Sequence, residues 1–534
     1  MKSRGGGQEP PDRLAALPLF HPDDDATAGV NGAAPRLAAV RVTRSDGAGG
    51  PSRPQDVTPV RRAPRGAAPK PDRPGAARVR QPGVAVDWAQ VRAFRQQAAE
   101  LLTAQLRDRA GLDEAARREI GRALIVSMLR DHADSLLAEG VPPPAPAEEH
   151  ALAGAIFDAL FGLGRLQPLV DDPDVENIEI TGCERVYMIY GDRQPELGPA
   201  VADSDEELIE TIAFLAARSG GGQRTFSPAN PLLDLALGVD VRARLAARAW
   251  ITPRPKVVIR KHKLVDVDLE DLRELGMLDE ALCAFLSAAV RAHKSVVVAG
   301  EMGVGKTTLV RALCNEIDPW EHLGTIETEY ELYLHAMPIE RHRRVTAQEA
   351  RPGTGERGPG DTAAGEITLV ALLEAALRMN LDRIIVGEVR GREILAMFEA
   401  MQTCSGSLST THAHDARAAI ERLVTCALAA GPQVTEALAY RQIAHHIDLI
   451  VQIDVDDRTQ SGGRMRRFVS EVIEVNKGEH QQMVAVSDIF KAHPDGRSFP
   501  TPYTPPSFLS DLERVGFDPA WLRPVGIGGR PVRS

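Results

Sequence analysis

The stretch "VVVAGEMGVGKTTLVRAL", Val296–Leu313, is an apolar run that breaks into glycines, a lysine and two threonines and then resumes at helical spacing. A short continuous apolar run is the pattern of a strand buried on both faces, while Leu309, Val310 and Leu313 recur at the three- to four-residue period of a helix. Between them, Gly300, Gly305, Lys306 and Thr307 satisfy G-x-x-x-x-G-K-[ST]. Glycines let the backbone turn so that successive N–H groups face a phosphate, and the following helix adds the positive end of its dipole. Gly300, Gly303, Gly305, Lys306, Thr307 and Thr308 are therefore the candidate nucleotide-binding residues. Lys306 is expected to reach the β- and γ-phosphates of ATP, and Thr307 to hold Mg²⁺.

Hydrolysis asks for more than a phosphate loop: a carboxylate that orders the metal and a group that positions water. "LDRIIVGEVRG", Leu381–Gly391, supplies a buried strand ending in Gly387 and Glu388, where a metal-ordering acid beside the loop belongs. Glu388 joins Thr307 as a candidate Mg²⁺ ligand. "LGTIETEYELYL" places Glu327, Glu329 and Glu331 after another short strand, and "GSLSTTHAHD" places His412 and His414 at the end of a third. From Leu269 onward such strands alternate with helices, which indicates an α/β domain with a largely parallel sheet. In a sheet of that kind the C-terminal strand ends converge on one ligand crevice.

The chain has 534 residues, too many for one ordinary core, with 43% hydrophobic and 26% charged residues, as in soluble globular proteins. A net charge of −11 argues against a nucleic-acid backbone as the main partner. The five cysteines, Cys183, Cys283, Cys314, Cys404 and Cys426, form no C-x-x-C pair, so a reducing cytoplasm fits best. No run of about 18 apolar residues occurs, so any membrane contact is expected to be peripheral or through a partner.

Texture divides the chain further. Residues 1–86 are rich in Pro, Gly, Ala and Arg and read as a disordered tail. Residues 87–149 carry amphipathic helices, "DWAQVRAFRQQAAELLTAQL" and "DEAARREIGRALIVSMLRDHADSLLAEG", before the breaker "VPPPAPAEE". Residues 150–265 read as a helix, alternating strands and a second helix, a small α+β domain. Residues 266–493 form the α/β domain, and 494–534 a loose Pro-rich tail.

A phosphate loop, an acidic box, "IIVGEVRG" and "GSLSTTHAH", in that order, resemble the secretion and pilus-assembly ATPases of the type II/type IV superfamily. The branch that matches best is the CpaF-like one that drives Flp (Tad) pilus assembly. The likeness runs from about His150 to His493, with "FGLGRLQPLVDDPDVENIEITG" resembling the start of its N-terminal domain and "HHIDLIVQI" and "VSDIF" its closing strands. The resemblance implies a RecA-like P-loop ATPase domain preceded by a small PAS-like α+β domain. It makes Glu388 the Walker-B glutamate, Glu327 and Glu331 the acids of the acidic box, one of which polarises the attacking water, and His412 the γ-phosphate sensor. Arg244 in "VRARLAA" and Arg260 in "VVIRKH" fall on arginines that reach the nucleotide from the N-terminal domain.

The resemblance implies a cytoplasmic ring ATPase, a homo-oligomer of hexameric form, working with ATP and Mg²⁺ against an inner-membrane platform protein, peripheral to the membrane and without direct nucleic-acid contact. Three departures stand out. Thr328 replaces the usual aspartate of the acidic box, the first histidine-box residue expected near Thr403 is missing, and "RPGTGERGPGDTAAGE" reads as a mobile insertion. The chain also lacks the four-cysteine zinc module of type II secretion motors. A conjugative DNA or protein export motor of the same fold and a nucleotide-binding scaffold with little hydrolysis are the alternatives.

Overall fold

The computed structural model describes residues 86–523, apart from 108–110, 219–224, 238–241, 265, 352, 358–362 and 479–483. The expected N-terminal tail and the centre of the insertion-like run thus lie outside the described residues. The chain divides between Gly164 and Arg165 into two compact units.

The first unit is helical. Helices α1 (Trp88–Leu106) and α2 (Glu114–Ala138) start at Asp87 and Asp113, whose carboxylates accept from the backbone N–H of Ala89 and Ala116 and so satisfy donors the helix leaves orphaned. Helix α3 (Pro146–Phe161) has proline at its first turn. Sequence reading assigned α3 to the following α+β domain from residue 150 onward. Instead Leu152, Ala155 and Ile156 of α3 share a core with Val91, Ala98, Ile125, Met128 and Leu129 of α1 and α2. An apolar helical stripe shows that a helix must be covered, and not by what.

The second unit opens with a short helix α4 (Gln167–Asp171) and strands β1 (Val175–Thr181), β2 (Arg185–Tyr190) and β3 (Glu196–Leu197), then α5 (Asp205–Arg218), β4 (Leu232–Ala236), β5 (Ala243–Arg248) and β6 (Lys256–Lys261). Among the described residues these strands form a six-stranded antiparallel sheet in the order β3-β2-β1-β6-β5-β4. Alternate residues are buried, such as Leu245 and Ala247 on β5 and Val257 and Ile259 on β6. The opposite face therefore presents Arg244 and Arg260, which are direct cross-strand partners.

Beyond it run α6 (Leu269–Glu274), α7 (Glu280–Arg291), β7 (Val296–Gly300), α8 (Lys306–Cys314), β8 (His322–Glu327), β9 (Arg344–Glu349), the hairpin β10 (Thr354–Arg357) and β11 (Ala363–Ala364), α9 (Leu369–Ala376), β12 (Arg383–Val386), α10 (Glu393–Thr403) and β13 (Leu408–His412). Then follow α11 (Ala416–Leu428), α12 (Glu436–His446), β14 (Leu449–Asp457), β15 (Met465–Lys477), β16 (Val484–Lys491), β17 (Thr501–Pro502) and α13 (Leu509–Arg514). A nine-stranded sheet results among the described residues, ordered β17-β16-β15-β14-β7-β13-β12-β8-β9, parallel from β14 to β9 and antiparallel on the other side. This is the RecA-like α/β arrangement expected, with the phosphate-loop strand near its centre. Val296 and Val298 enter a core with α6, α7 and α8, while Val297 and Ala299 enter one with α9 to α12. Burial on both faces is why β7 reads as an unbroken apolar run.

The C-terminal segment corrects a second expectation. It is no loose appendage: β17 pairs with β16, Leu512, Phe517 and Leu522 are buried in the first core, and Lys294 bonds Asp511 at 2.8 Å. Phe517 meets Phe285 of α7 with ring centroids 6.0 Å apart. Its prolines hid a spacing of apolar residues that caps α7.

Candidate active site

Parallel pairing brings the C-terminal ends of β7, β8, β12 and β13 to one edge, with His412 in register with Gly300 and Val386 with Ile326. The loop between β7 and α8 has Gly303 and Gly305 in left-handed conformations, φ +78° and +99°, and Gly300 at φ +153°. A side chain at Gly300 would place Cβ 2.7 Å from the Ile453 carbonyl oxygen, so only glycine fits there.

Lys306, 8% exposed, opens α8. Its Nζ donates to the Gly300 and Glu301 carbonyls at 3.0 and 2.7 Å and to His412 Nδ1 at 3.1 Å. Among the described residues no carboxylate forms an ion pair with it. Burial brings the ammonium down to about 8, only partly offset by Glu388. An ammonium has no lone pair to give, so Nδ1 of His412 is the acceptor and Nε2 carries the ring proton. That nitrogen lies 2.8 Å from Glu388 Oε1 without forming an aligned hydrogen bond, and Arg390 Nη2 lies 2.6 Å from Glu388 Oε2. Burial, then Lys306, holds the His412 imidazolium pKa below its ordinary value, leaving the ring neutral at pH 7.

The two acids of the acidic box occupy different environments. Glu331 Oε2 accepts from Thr307 Oγ1 at 3.1 Å. Burial pushes the Glu331 carboxyl up, but Arg260, His262, the Thr307 hydroxyl and Arg244 together outweigh it, and the group titrates below its ordinary value. Glu327, 2% exposed, turns inward: Oε2 accepts the backbone N–H groups of Glu331 and Leu332, each at 2.8 Å, and Oε1 has no hydrogen bond. Burial raises it to about 7.

Arg311, fully buried one helical turn beyond Thr307, donates from Nε and Nη2 to the Glu331 carbonyl and from Nη1 to the Leu264 carbonyl. It thereby joins the acidic-box turn to the segment leaving the six-stranded sheet. Burial lowers its guanidinium to about 10, still cationic at neutral pH. Arg311→Met should cost about 2 kcal/mol, because the methionine fills the space but removes the hydrogen bonds to the Glu331 and Leu264 carbonyls. The denaturant midpoint would record it, and an unchanged midpoint would mean that these bonds are replaced by solvent.

From the six-stranded sheet, Arg244 forms an ion pair with Glu329, with side chains 11% and 31% exposed respectively. Arg260 stands beside it, its charge acting on Glu331. His262, two residues further along the same strand direction, is driven to about 4 by burial and is neutral. The sequence-predicted residues thus gather, with one exception in pairing: Thr307 bonds Glu331, whereas Glu388 bonds Arg390 and approaches His412.

Four contributors escaped sequence reading. Arg390 lies inside the quoted "GEVRG", His262 follows Arg260 by the two residues that keep a strand side chain on one face, and Arg311 follows Thr307 by the four that keep a helix face. Glu393 accepts the N–H groups of Arg390 and Gly391 at 2.5 and 2.6 Å, fixing that turn, and only its place at the start of α10 could have signalled it. Thr403, near which a histidine was expected, ends α10 and lines a cleft with His293 and Asp382, which does not include Lys306 or His412.

A family model described as Type II/IV secretion system protein matches residues 207–493. An uncharacterized protein of Methanocaldococcus jannaschii, MJ0900, is 33% identical over 269 residues, 49% of this chain and 45% of that one. The type IV secretion system protein PtlH of Bordetella pertussis is 36% identical over 192 residues, 35% of this chain and 52% of its own. The chain therefore spans about half the length of each of these relatives. The crystal structure of the VirB11 ATPase from the Brucella suis type IV secretion system, in complex with sulphate, aligns at 25% identity over 58% of this chain and 95% of that one, with a TM-score of 0.30. With more than half of its residues matched in a single span and the phosphate loop, acidic box and histidine box inside it, the chain belongs to the type II/IV secretion system protein family.

Proposed function

We propose that this chain is a cytoplasmic ring ATPase, a homo-hexamer, that hydrolyses ATP to drive Flp (Tad) pilus assembly or type II/IV secretion through an inner-membrane platform protein. The observation that carries the reading is Lys306: a buried ammonium bonded to carbonyls and an imidazole, with no carboxylate ion pair among the described residues, in a loop of left-handed glycines. Such a cation fits the β- and γ-phosphates of a nucleoside triphosphate. Among the described residues no group of three or more His, Cys, Asp or Glu side chains is set to hold a metal, and Mg²⁺ needs none, since it takes one or two protein ligands plus phosphate oxygens. Thr307 and Glu388 would hold it, and it would neutralise phosphate charge.

Catalysis would then divide among named side chains. Lys306 neutralises the transferring phosphoryl group. Glu331, rather than the inward-turned Glu327, orients the attacking water, because its carboxylate is ionised and stands next to Thr307. A carboxylate held below its ordinary pKa is a poor proton acceptor but a good hydrogen-bond acceptor, which suits a loose transition state in which positioning matters more than proton removal. Arg244 and Arg260, arriving from the six-stranded sheet, would complete the charge balance around a bound nucleotide. Glu331→Gln should lower kcat about 10²-fold while nucleotide affinity holds, as expected when an interaction made in the transition state is lost. Equal losses in binding and kcat would assign it to ground-state binding instead.

The test of the whole reading is steady-state ATP turnover per chain against protein concentration. A rate that climbs cooperatively as rings assemble supports a motor, and zero turnover at every concentration despite ATP binding supports a scaffold. The alternative is a DNA-export motor of the same fold, and strong stimulation of turnover by DNA would favour it. Among the described residues no helix is long and apolar enough to cross a membrane.

A further inference from the structure

The three acids at 327, 329 and 331 have three separate occupations. Glu327 is bonded to backbone N–H groups, Glu331 to Thr307, and Glu329 to Arg244. The last contact joins the turn after β8, in the phosphate-loop sheet, to β5, in the six-stranded sheet.

Arg244 needs an anion. It stands directly opposite Arg260 on the neighbouring strand, on the same face, and like charges so placed repel. Its side chain is only 11% exposed, so water solvates the guanidinium poorly, and burial lowers its affinity for the proton. Glu331 and Glu349 contribute charge nearby, but Glu331 is already engaged by Thr307 and Glu349 by the Tyr330 N–H, and neither forms an ion pair with Arg244 among the described residues. Glu329 is therefore the carboxylate that answers Arg244 in this state.

We propose that Glu329 is a positioning residue that serves as an internal stand-in for nucleotide phosphate, holding Arg244 until a bound triphosphate takes the guanidinium from it. The proposal rests on the ATPase reading above. It makes nucleotide binding an anion exchange at Arg244: one carboxylate leaves as phosphate oxygens arrive, and the released Glu329 frees the tie between the two sheets. Affinity is lowered by whatever the Arg244–Glu329 pair contributes, and Arg244 is never left as an unpaired cation beside Arg260.

The experiment is a double-mutant cycle on the full chain, read by titration with N-methylanthraniloyl-ATP in the presence of Mg²⁺. Glu329→Gln should tighten binding about fivefold, the scale of a partly buried ion pair, because Arg244 is released to the ligand. In an Arg244→Ala background the same change should do nothing. Tightening of equal size in that background would overturn the exchange, since it would mean that Glu329 merely repels phosphate through space. Unchanged or weaker binding in Glu329→Gln, with the wild type binding normally, overturns the exchange alone. A folded wild type that does not bind the analogue overturns the nucleotide reading, and the exchange with it.

Discussion

Lys306→Ala is expected to reduce ATP turnover by about 10³-fold, to background, while the melting temperature stays level or rises. The two halves have one cause. Lys306 is buried beside backbone carbonyls and a neutral imidazole, and burial drops its pKa to about 8. A lysine whose folded pKa lies below its ordinary 10.5 is held in a place that disfavours its charge, so below pH 8 its charged form costs the folded state free energy. Alanine removes that cost along with the cation meant for phosphate. A residue that is unfavourable for folding yet required for turnover is the signature of a site kept ready for an anionic ligand. Parallel ATP assays and thermal melts on the two proteins decide it. A variant that lost activity only because it melted lower would turn Lys306 into an ordinary structural residue.

What the sequence disclosed of this site follows from how local each feature is. The phosphate loop is legible because the strand, the glycines and the helix that define it are contiguous, and Glu388, Glu327, Glu331 and His412 are legible because each ends or closely follows a strand whose apolar run stands out. Arg244 and Arg260 could be placed only by resemblance, since cross-strand register is not encoded in either strand separately. The difference between Glu327 and Glu331 was invisible. Both follow the same short strand, and only the turn that folds the N–H groups of Glu331 and Leu332 back onto Glu327 separates them. The misreadings share that origin. Helix α3 and the segment around Leu512 and Phe517 each advertise an apolar face, but their partners, α1 with α2 in one case and α7 in the other, lie far away in sequence.

That separation of the two acids gives a pH signature, which Glu327→Gln should expose. The Glu327 carboxyl titrates near 7 in the folded protein, against an ordinary 4.5, because burial disfavours its charge more than the two N–H donors favour it. Between those values the folded chain binds the proton that the unfolded chain has released. The stability contributed by the protonated acid is therefore fully present below about pH 4.5 and is lost as pH rises through 7. Above pH 8 the ionised carboxylate costs about 3 kcal/mol, from the shift at 1.36 kcal/mol per unit. Glutamine keeps an amide oxygen for the N–H groups of Glu331 and Leu332, carries no charge, and so resembles the protonated acid at every pH. Relative to wild type, the variant should gain about 3 kcal/mol between pH 4.5 and 8.5, most steeply between the two pKa values, near pH 6, and levelling off above 7. Urea midpoints at fixed ionic strength across that range measure it. A difference that stays flat would mean that Glu327 is ionised throughout and that its orphaned Oε1 has found a partner, in which case the inward-turned acid would regain its claim to the attacking water.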